Sequence, residues 1–566
     1  MKGMTDADPT RSRAMSRRLY WIAAGVFAVL VATLLWGLFG PEPPIRVARE
    51  TTYLTAPLAA DGLPDYEAAW LATLGPAPPP EENAAVLLLQ TCWPLLENGA
   101  TDLPAVCKAL GIPDVPPAES LVLYPPRDPA SGVTDAMLET AEQWPWTTEE
   151  VPVVAAWLAK NERLIGRLVE AADRPRYWLP SPSFLDGTPD PLWTITLPDI
   201  QAHRGVARVL GYRARWHLGE NRPAAAWRDV RAIHRLSRLL APPGRGPQCV
   251  MTQLVAIAVD ANANDATRLV LATPDLPADL LATIRRDMES LGPTVAVSDG
   301  MAGERLLGVD MVVGAARRTA GGRTGRAKLF ADLTGVRITS TSGISRIGGG
   351  EPVLLTSLDW NLVLERFNLF HDDAEAACRL PTHQDRKAAA DKVTADLRSR
   401  TAARSGWTWA AIGDGFLSVC SRGHRSERLA DRFLALLAAR NLTWMDASTH
   451  GDAQFALTKT AAALAAWHAD RGPDSPPYPE RLDDLVPRYL AAVPVDPFTD
   501  KPFIYERRGD GYLVASVGMN GVYDGGDDMS GWIVRGEWQE RKQDVDHRSA
   551  DVVVRMPIPP RKPADR

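Results

Sequence analysis

The residues with the clearest chemical potential lie near the C-terminus. Asp524, Asp527 and Asp528 crowd together, with Ser516 and Asn520 just upstream. Two carboxylates about 4 Å apart repel by about 1 kcal/mol even in water, and by more near a protein surface. A hard divalent cation reverses that sign and takes about six to eight oxygen ligands. Gly518, Gly521, Gly525 and Gly526 let the backbone bend so that carbonyls also turn inward. The set Ser516, Asn520, Asp524, Asp527 and Asp528 could therefore hold Ca2+. The competing reading is a solvated acidic turn. The order of an EF-hand is absent, and no His or Cys lies close enough to favour a transition metal.

Other chemistry is harder to find. The chain has no H-E-x-x-H, no G-x-S-x-G, no Walker A sequence and no G-x-G-x-x-G after a strand. His371-Asp372-Asp373 could form half of a metal or acid–base site, but a polar helix face explains it as well. His217 and His234 can face each other across a helical pair, where a packed or surface histidine is the simpler reading. Glu149-Glu150 and Glu81-Glu82 are first-turn carboxylates that a helix dipole explains. No catalytic residue is assigned.

The net charge is −6 and the basic residues are dispersed, so there is no nucleic-acid footprint. With 45% hydrophobic and 23% charged residues the chain is globular in composition, and its length suggests roughly two to four domains. Five cysteines and no C-x-x-C exclude a disulfide scaffold and a redox or zinc motif. Cys92 with Cys107 and Cys378 with Cys420 are possible bridges; buried free thiols are the alternative.

These residues must be positioned by elements that start at a membrane. Leu19 to Phe39 has no charge, Pro, Asn or Gln. At about 1.5 Å per residue it spans roughly 31 Å, the thickness of a bilayer's hydrocarbon core. Tyr20, Trp21 and Trp36 sit near its ends, where amphipathic rings favour the interface. Arg11, Arg13, Arg17 and Arg18 precede it, so the N-terminus is expected in the cytoplasm and the bulk on the exported side of the cytoplasmic membrane. A cleaved signal peptide would have a shorter apolar run and a small-x-small site.

A mainly α fold follows. The expected order is a cytoplasmic tail (1–18), the transmembrane helix (19–39), a Pro-rich linker (40–60) and an exported helical domain (61–445). A small α+β head (446–540) and a C-terminal tail (541–566), mobile from Pro559, complete the chain. Thr147-Thr-Glu-Glu150 is a capping-box signature. Arg204–Leu218 and Ala224–Leu240 form a hairpin of tetratricopeptide type, with Ala207 and Ala214 facing Ala225 and Ala226. No second copy follows at a fixed period, so an irregular α-solenoid or bundle is expected. Further helices are expected over 250–271, 278–291, 354–380, 383–398, 426–439 and 453–470. Residues 314–350, rich in Gly, Ser, Thr and Arg, read as a flexible insertion. Apolar runs at 503–505, 512–516, 532–534 and 552–554 read as a small antiparallel sheet.

The C-terminal residues also carry a resemblance. In order come Tyr478-Pro479, Leu482, Leu485-Val486-Pro487, Tyr489-Leu490 and Val493-Pro494. Asp496-Pro497-Phe498, Lys501-Pro502-Phe503 with Tyr505, Ser516-Val-Gly518-Met-Asn520-Gly521 and Asp524-Gly525-Gly526-Asp527-Asp528 follow. Together these resemble the globular head of the major pseudopilin of type II secretion systems. That resemblance implies an α+β head and one calcium ion in the acidic loop. The pseudopilin helix carries a Glu and runs directly into the head. Here the apolar helix has no Glu and lies far upstream, so only the head carries over. The whole chain also resembles uncharacterised membrane-anchored helical proteins of planctomycete-type bacteria. Glu82-Asn83-Ala84-Ala85-Val86-Leu87, Trp157-Leu158 with Asn161-Glu162, and Asp359-Trp360-Asn361 carry that likeness, which implies no activity.

The function these readings predict is a periplasm-facing scaffold or interaction protein, bound to the cytoplasmic membrane and to another envelope protein. A membrane-tethered hydrolase with a site assembled from distant residues, or a type II secretion accessory subunit, are the alternatives.

Overall fold

The computed structural model describes residues 9–96, 103–113, 121, 132–179, 192, 197–317, 356–401, 417–437, 444–471, 475–526 and 551–558. Helices dominate. In chain order they are α1 (Pro9–Phe39), α2 (Tyr66–Leu74), α3 (Ala84–Leu96), α4 (Leu103–Leu110), α5 (Asp135–Gln143), α6 (Pro152–Lys160), α7 (Glu162–Asp173) and α8 (Leu197–Gly219). Then come α9 (Pro223–Leu240), α10 (Val250–Leu271), α11 (Ala278–Ser290), α12 (Val297–Arg317), α13 (Trp360–Cys378), α14 (His383–Thr401), α15 (Arg422–Leu437) and α16 (Trp444–Ala469). The strands are β1 (Val495–Asp496), β2 (Lys501–Pro502), β3 (Ile504–Arg508), β4 (Gly511–Ser516) and β5 (Val552–Met556).

The chain forms two compact units, neither contiguous in sequence. One is built from residues 1–64, 309–370 and 394–439, the other from 65–308, 371–393 and 440–566.

The first unit carries the apolar helix. Among the described residues, one helical stretch is long and apolar enough to cross a membrane: Tyr20–Phe39, with mean hydropathy 2.4 and no part buried. Helix α1 starts at Pro9, so residues 9–18 of the expected cytoplasmic tail are helical. The Pro-rich segment after it is not a free linker. Glu42 accepts from the Leu358 N–H (2.9 Å) and the Trp360 indole N–H (3.0 Å). Asn361 donates to the Pro44 carbonyl (3.0 Å) and accepts from the Arg46 N–H (2.8 Å). Asn368 donates to the Thr51 carbonyl at 2.6 Å. Helix α13 supplies side-chain partners for this backbone. The unit's core is Trp360, Val363, Leu364, Phe367, Leu397, Leu429, Phe433 and Leu434, all buried. Arg366 clasps Asp431 through two bonds of 2.7 and 3.0 Å.

In the second unit the hairpin α8–α9 is the centre. Its small residues Ala207, Ala214 and Ala226 are buried, and Arg213 on α8 pairs with Asp229 on α9 at 2.6 and 2.8 Å. Gly219 ends α8 where a Cβ would lie 2.0 Å from the Trp146 carbonyl oxygen. The capping box forms: the Thr147 N–H donates to Glu150 (2.8 Å), and the Glu150 N–H donates to the Thr147 hydroxyl (3.4 Å). Pro152 then opens α6 at a position where it lacks no needed donor. Helix α3 bends at Cys92, two residues before Pro94, where the ring removes a helical donor.

The strands share their core with these helices. Leu218, Trp227, Ile284, Leu457, Leu464, Leu485, Tyr512, Val514 and Val554 belong to one apolar cluster. The sheet order is β3-β4-β5, antiparallel throughout, with Val514 paired to both Tyr505 and Val554. Strand β5 takes up the apolar run expected to be a strand at 552–554, inside the stretch assigned to the C-terminal tail, and Val552–Val554 are buried. Residues 318–350, most of the expected flexible insertion, lie outside the described residues, as does the strand expected at 532–534. The five cysteines are all free thiols; Cys92, Cys107, Cys249 and Cys378 are buried and Cys420 is exposed.

Candidate functional site

The acidic loop follows β4. Ser516 ends that strand fully buried, and its hydroxyl donates to Asp496 at 2.9 Å. Asp496 also accepts from the Phe498 and Val517 N–H groups at 2.9 and 3.0 Å. The Gly518 N–H donates back to the Ser516 hydroxyl at 3.2 Å. Asn520 and Asp524 are brought together: the Asn520 amide donates to the Asp524 carboxylate at 2.7 Å, and its oxygen accepts from the Val522 N–H at 3.0 Å. Asp527 and Asp528 lie outside the described residues. Of the expected ligand set, then, Asn520 and Asp524 meet in the loop while Ser516 is committed to Asp496.

Two groups that sequence reasoning gave no role hold this loop. Asp551, buried at the start of β5, accepts from the Asp524 N–H (3.0 Å) and the Gly526 N–H (2.9 Å). Arg555 on the same strand donates to the Gly526 carbonyl at 2.6 Å. Gly526 has φ +83°, and a Cβ there would lie 2.6 Å from a Leu513 methyl. On the other edge, the Tyr523 hydroxyl donates to Glu506 at 2.7 Å. That bond holds the Glu506 carboxyl below its usual range, and burial with the Glu506 charge pushes the Tyr523 phenol up to about 12. An aspartate heading an apolar strand gives no signal of this role in the sequence.

Among the described residues no three His, Cys, Asp or Glu side chains converge to hold a metal. The donor chemistry of the described loop is nonetheless all oxygen on the acidic side. Asp524 keeps its side chain exposed at the surface. A hard cation fits these atoms and a soft one does not.

A second polar centre lies in the helical part of the larger unit. His234 on α9 places Nδ1 2.7 Å from Asp260 and Nε2 3.0 Å from the Thr267 hydroxyl, both on α10. Asp260 also accepts from Arg238, from Asn264 (3.2 Å) and from Thr294 (3.3 Å). Burial lowers the His234 pKa. Burial alone would raise the Asp260 pKa, but the neighbouring Arg238 and His234 hold it low and the carboxylate ionised. Carboxylate, imidazole and hydroxyl thus stand in the order of a nucleophile relay. A relay needs space about 3 Å from the hydroxyl for the reacting atom. Here His234 and Thr267 are both fully buried, and the Thr267 hydroxyl donates its proton to the Ala263 carbonyl at 2.8 Å. The centre's chemistry is that of a packed polar core.

His217 lies 3.9 Å from Asp229. Asp372 pairs with buried Arg305 at 2.6 Å, and Glu375 lies 3.1 Å from the same guanidinium. Of the His371-Asp372-Asp373 run, Asp372 therefore serves an ion pair between α12 and α13.

The same unit has an open cleft of about 910 Å³ where the α10–α11 turn, the end of α16 and the β-sheet meet. Leu276, His468, Arg471, Tyr478, Asp510 and Pro557 line it. Arg471 stacks on Trp467 at 3.9 Å and His468 on Tyr478 at 5.2 Å. Mixed aromatic and charged walls of this kind suit a peptide or protein surface better than a small apolar ligand.

Comparison with protein-family models, curated proteins and solved structures finds no match for this chain.

Proposed function

We propose that the chain is a membrane-anchored scaffold or interaction protein. Its N-terminus is cytoplasmic and its bulk faces the periplasm. The observation that carries this reading is the Tyr20–Phe39 helix, apolar and with none of its span buried. An uncovered apolar surface of that size in water would aggregate, whereas a bilayer core matches its length. The upstream arginines set the orientation. The cleft beside Tyr478 and Arg471 is the surface for an envelope-protein partner.

The acidic loop is stabilised by calcium in this reading. Asp524, loop carbonyls and the nearby Asn520 supply oxygens, and Asp527 and Asp528 complete the charge. The cation supplies electrostatic closure of the loop; Asp551 and Arg555 set its shape. The resemblance to a pseudopilin head supports this assignment. Crosslinking and pull-down of the full-length protein from native membranes tests the scaffold role: a reproducible envelope-protein partner, lost when Tyr478 and Arg471 are both replaced by Ala, is the expected result. Recovery of the chain alone would end it.

A further inference from the structure

The end of the membrane helix is fastened to a second apolar segment. Arg425 on α15 is buried, and its guanidinium joins three stretches of chain. One terminal nitrogen donates to the Ser418 and Val419 carbonyls at 3.1 and 2.9 Å. The other donates to the Gly37 carbonyl at 2.7 Å and the Ser357 carbonyl at 3.1 Å. The Ser357 N–H donates to the Leu38 carbonyl at 2.6 Å. The last carbonyls of a helix have no partners of their own, and a cation there is also favoured by the helix dipole. Arg425 therefore fixes residues 417–420 beside the point where α1 leaves the bilayer.

The distances set the depth. Two bonds and the width of one guanidinium place the Ser418 and Val419 carbonyls within about 8 Å of the Gly37 carbonyl. Gly37 lies two residues inside the end of the apolar helix. The polar interface of a bilayer is about 5–8 Å thick on each side. Residues 417–420 thus sit at interface depth. There the segment presents Leu417 and Val419, 49% and 46% exposed, on the same unit as exposed Trp36 and Phe39. Arg422 and Arg428 follow on α15, a charge placement that suits headgroups.

We infer that Leu417 and Val419 form a second membrane contact, inserting into the lipid interface beside the transmembrane helix. The occupant of this apolar patch is the bilayer, because the patch is continuous with the helix that crosses it. Two contacts prevent the first unit from swivelling on α1 and hold one face of it against the lipid. The inference rests on the reading that Tyr20–Phe39 spans the membrane.

The test uses the full-length protein in phosphatidylcholine–phosphatidylglycerol vesicles. An environment-sensitive fluorophore is attached to Leu417→Cys or Val419→Cys, each in a Cys420→Ser background; the other four cysteines are buried. Wild-type Cys420 is labelled in parallel, needing no substitution, and Val26→Cys reports the middle of the helix. The expected result is quenching by a shallow nitroxide lipid at 417, 419 and 420. Aqueous iodide should quench these sites at least threefold less than the free dye. Full iodide access at these sites, with Val26 still quenched only by lipid, would overturn the inference and leave the anchor standing. Full iodide access at Val26 as well would overturn both.

Discussion

Replacing Asp260 by Asn tests the view that the buried histidine centre is structural. The substitution keeps the volume and removes the charge. Asp260 is the carboxylate on which His234, Arg238, Asn264 and Thr294 converge, and the Arg238 side chain is only 12% exposed. Removing one partner of a buried ion pair leaves the other charge uncompensated and costs about 3–5 kcal/mol. That is a large part of a typical domain stability of about 5–15 kcal/mol. For a unit of roughly 400 residues, an unfolding entropy of about 2.1 cal/mol/K per residue converts the loss into a melting shift of about 4–6 °C. The assay is thermal unfolding of the purified full-length protein in detergent, with Asp373→Asn on an exposed position as the control. A double-mutant cycle with Arg238→Met separates the pair from the rest of the network, and a coupling of about 2 kcal/mol is expected. A melting shift below about 1 °C with no coupling would refute the reasoning, since an ion pair so placed cannot then be buried.

Other outcomes follow from single features. Millimolar calcium should raise the melting temperature of the full-length protein, with a stabilisation of about 2.7 kcal/mol at a hundredfold excess over the dissociation constant. Asp527→Ala with Asp528→Ala should abolish that shift, and an unchanged melting curve with and without chelator would end the calcium assignment. Burial holds the His217 pKa down to about 4. The unfolded chain therefore takes up a proton that the folded one refuses, and stability falls as pH drops below about 6.5. The loss from His217 is about 2 kcal/mol at pH 5. Asp452, pushed up to about 6 by burial, works in the opposite direction and returns about 1 kcal/mol between pH 7 and 5. Burial also lowers His234, His383 and His450, so denaturation curves should show net acid destabilisation, reduced in His217→Gln. Gly303→Ala places a Cβ 1.9 Å from the Gln248 carbonyl oxygen and should cost about 3 kcal/mol or more in the same melts. A water-soluble maleimide should label the native protein in detergent once per chain, at Cys420. Burial removes Cys92 and Cys378 from reaction and pushes both thiols up to about 12.

Much of the helical order was legible in the sequence because it is written in local patterns. Val250–Leu271 is bounded as its apolar spacing requires, and the hairpin turns at Gly219 and Pro223 as those residues dictate. Helix α12 was not legible. Gly300, Gly303, Gly308 and Gly314 lower its intrinsic propensity. At Gly300 and Gly303 the reason is tertiary: a Cβ would strike Gln253 and Trp444, or the Gln248 backbone. The head was read as a separate domain because its strands follow one another in sequence, yet their core includes α8, α9, α10 and α11 residues distant in the chain. At the acidic loop the crowding of Asp524 and Asn520 was visible. The anchoring by Asp496 and Asp551 was not, because each acts across strand pairs that a linear pattern does not specify. The Asp260–His234 centre escaped notice for a similar reason: its members sit on two helices with no shared motif.

The placement of the chain across a bilayer is tested most directly by protease accessibility in intact spheroplasts. With trypsin outside, the 61–566 body should be degraded while an epitope on residues 1–8 survives until the membrane is opened by detergent. Survival of the body with loss of the N-terminal epitope would contradict the proposed orientation, and the calcium and partner assignments would lose their compartment.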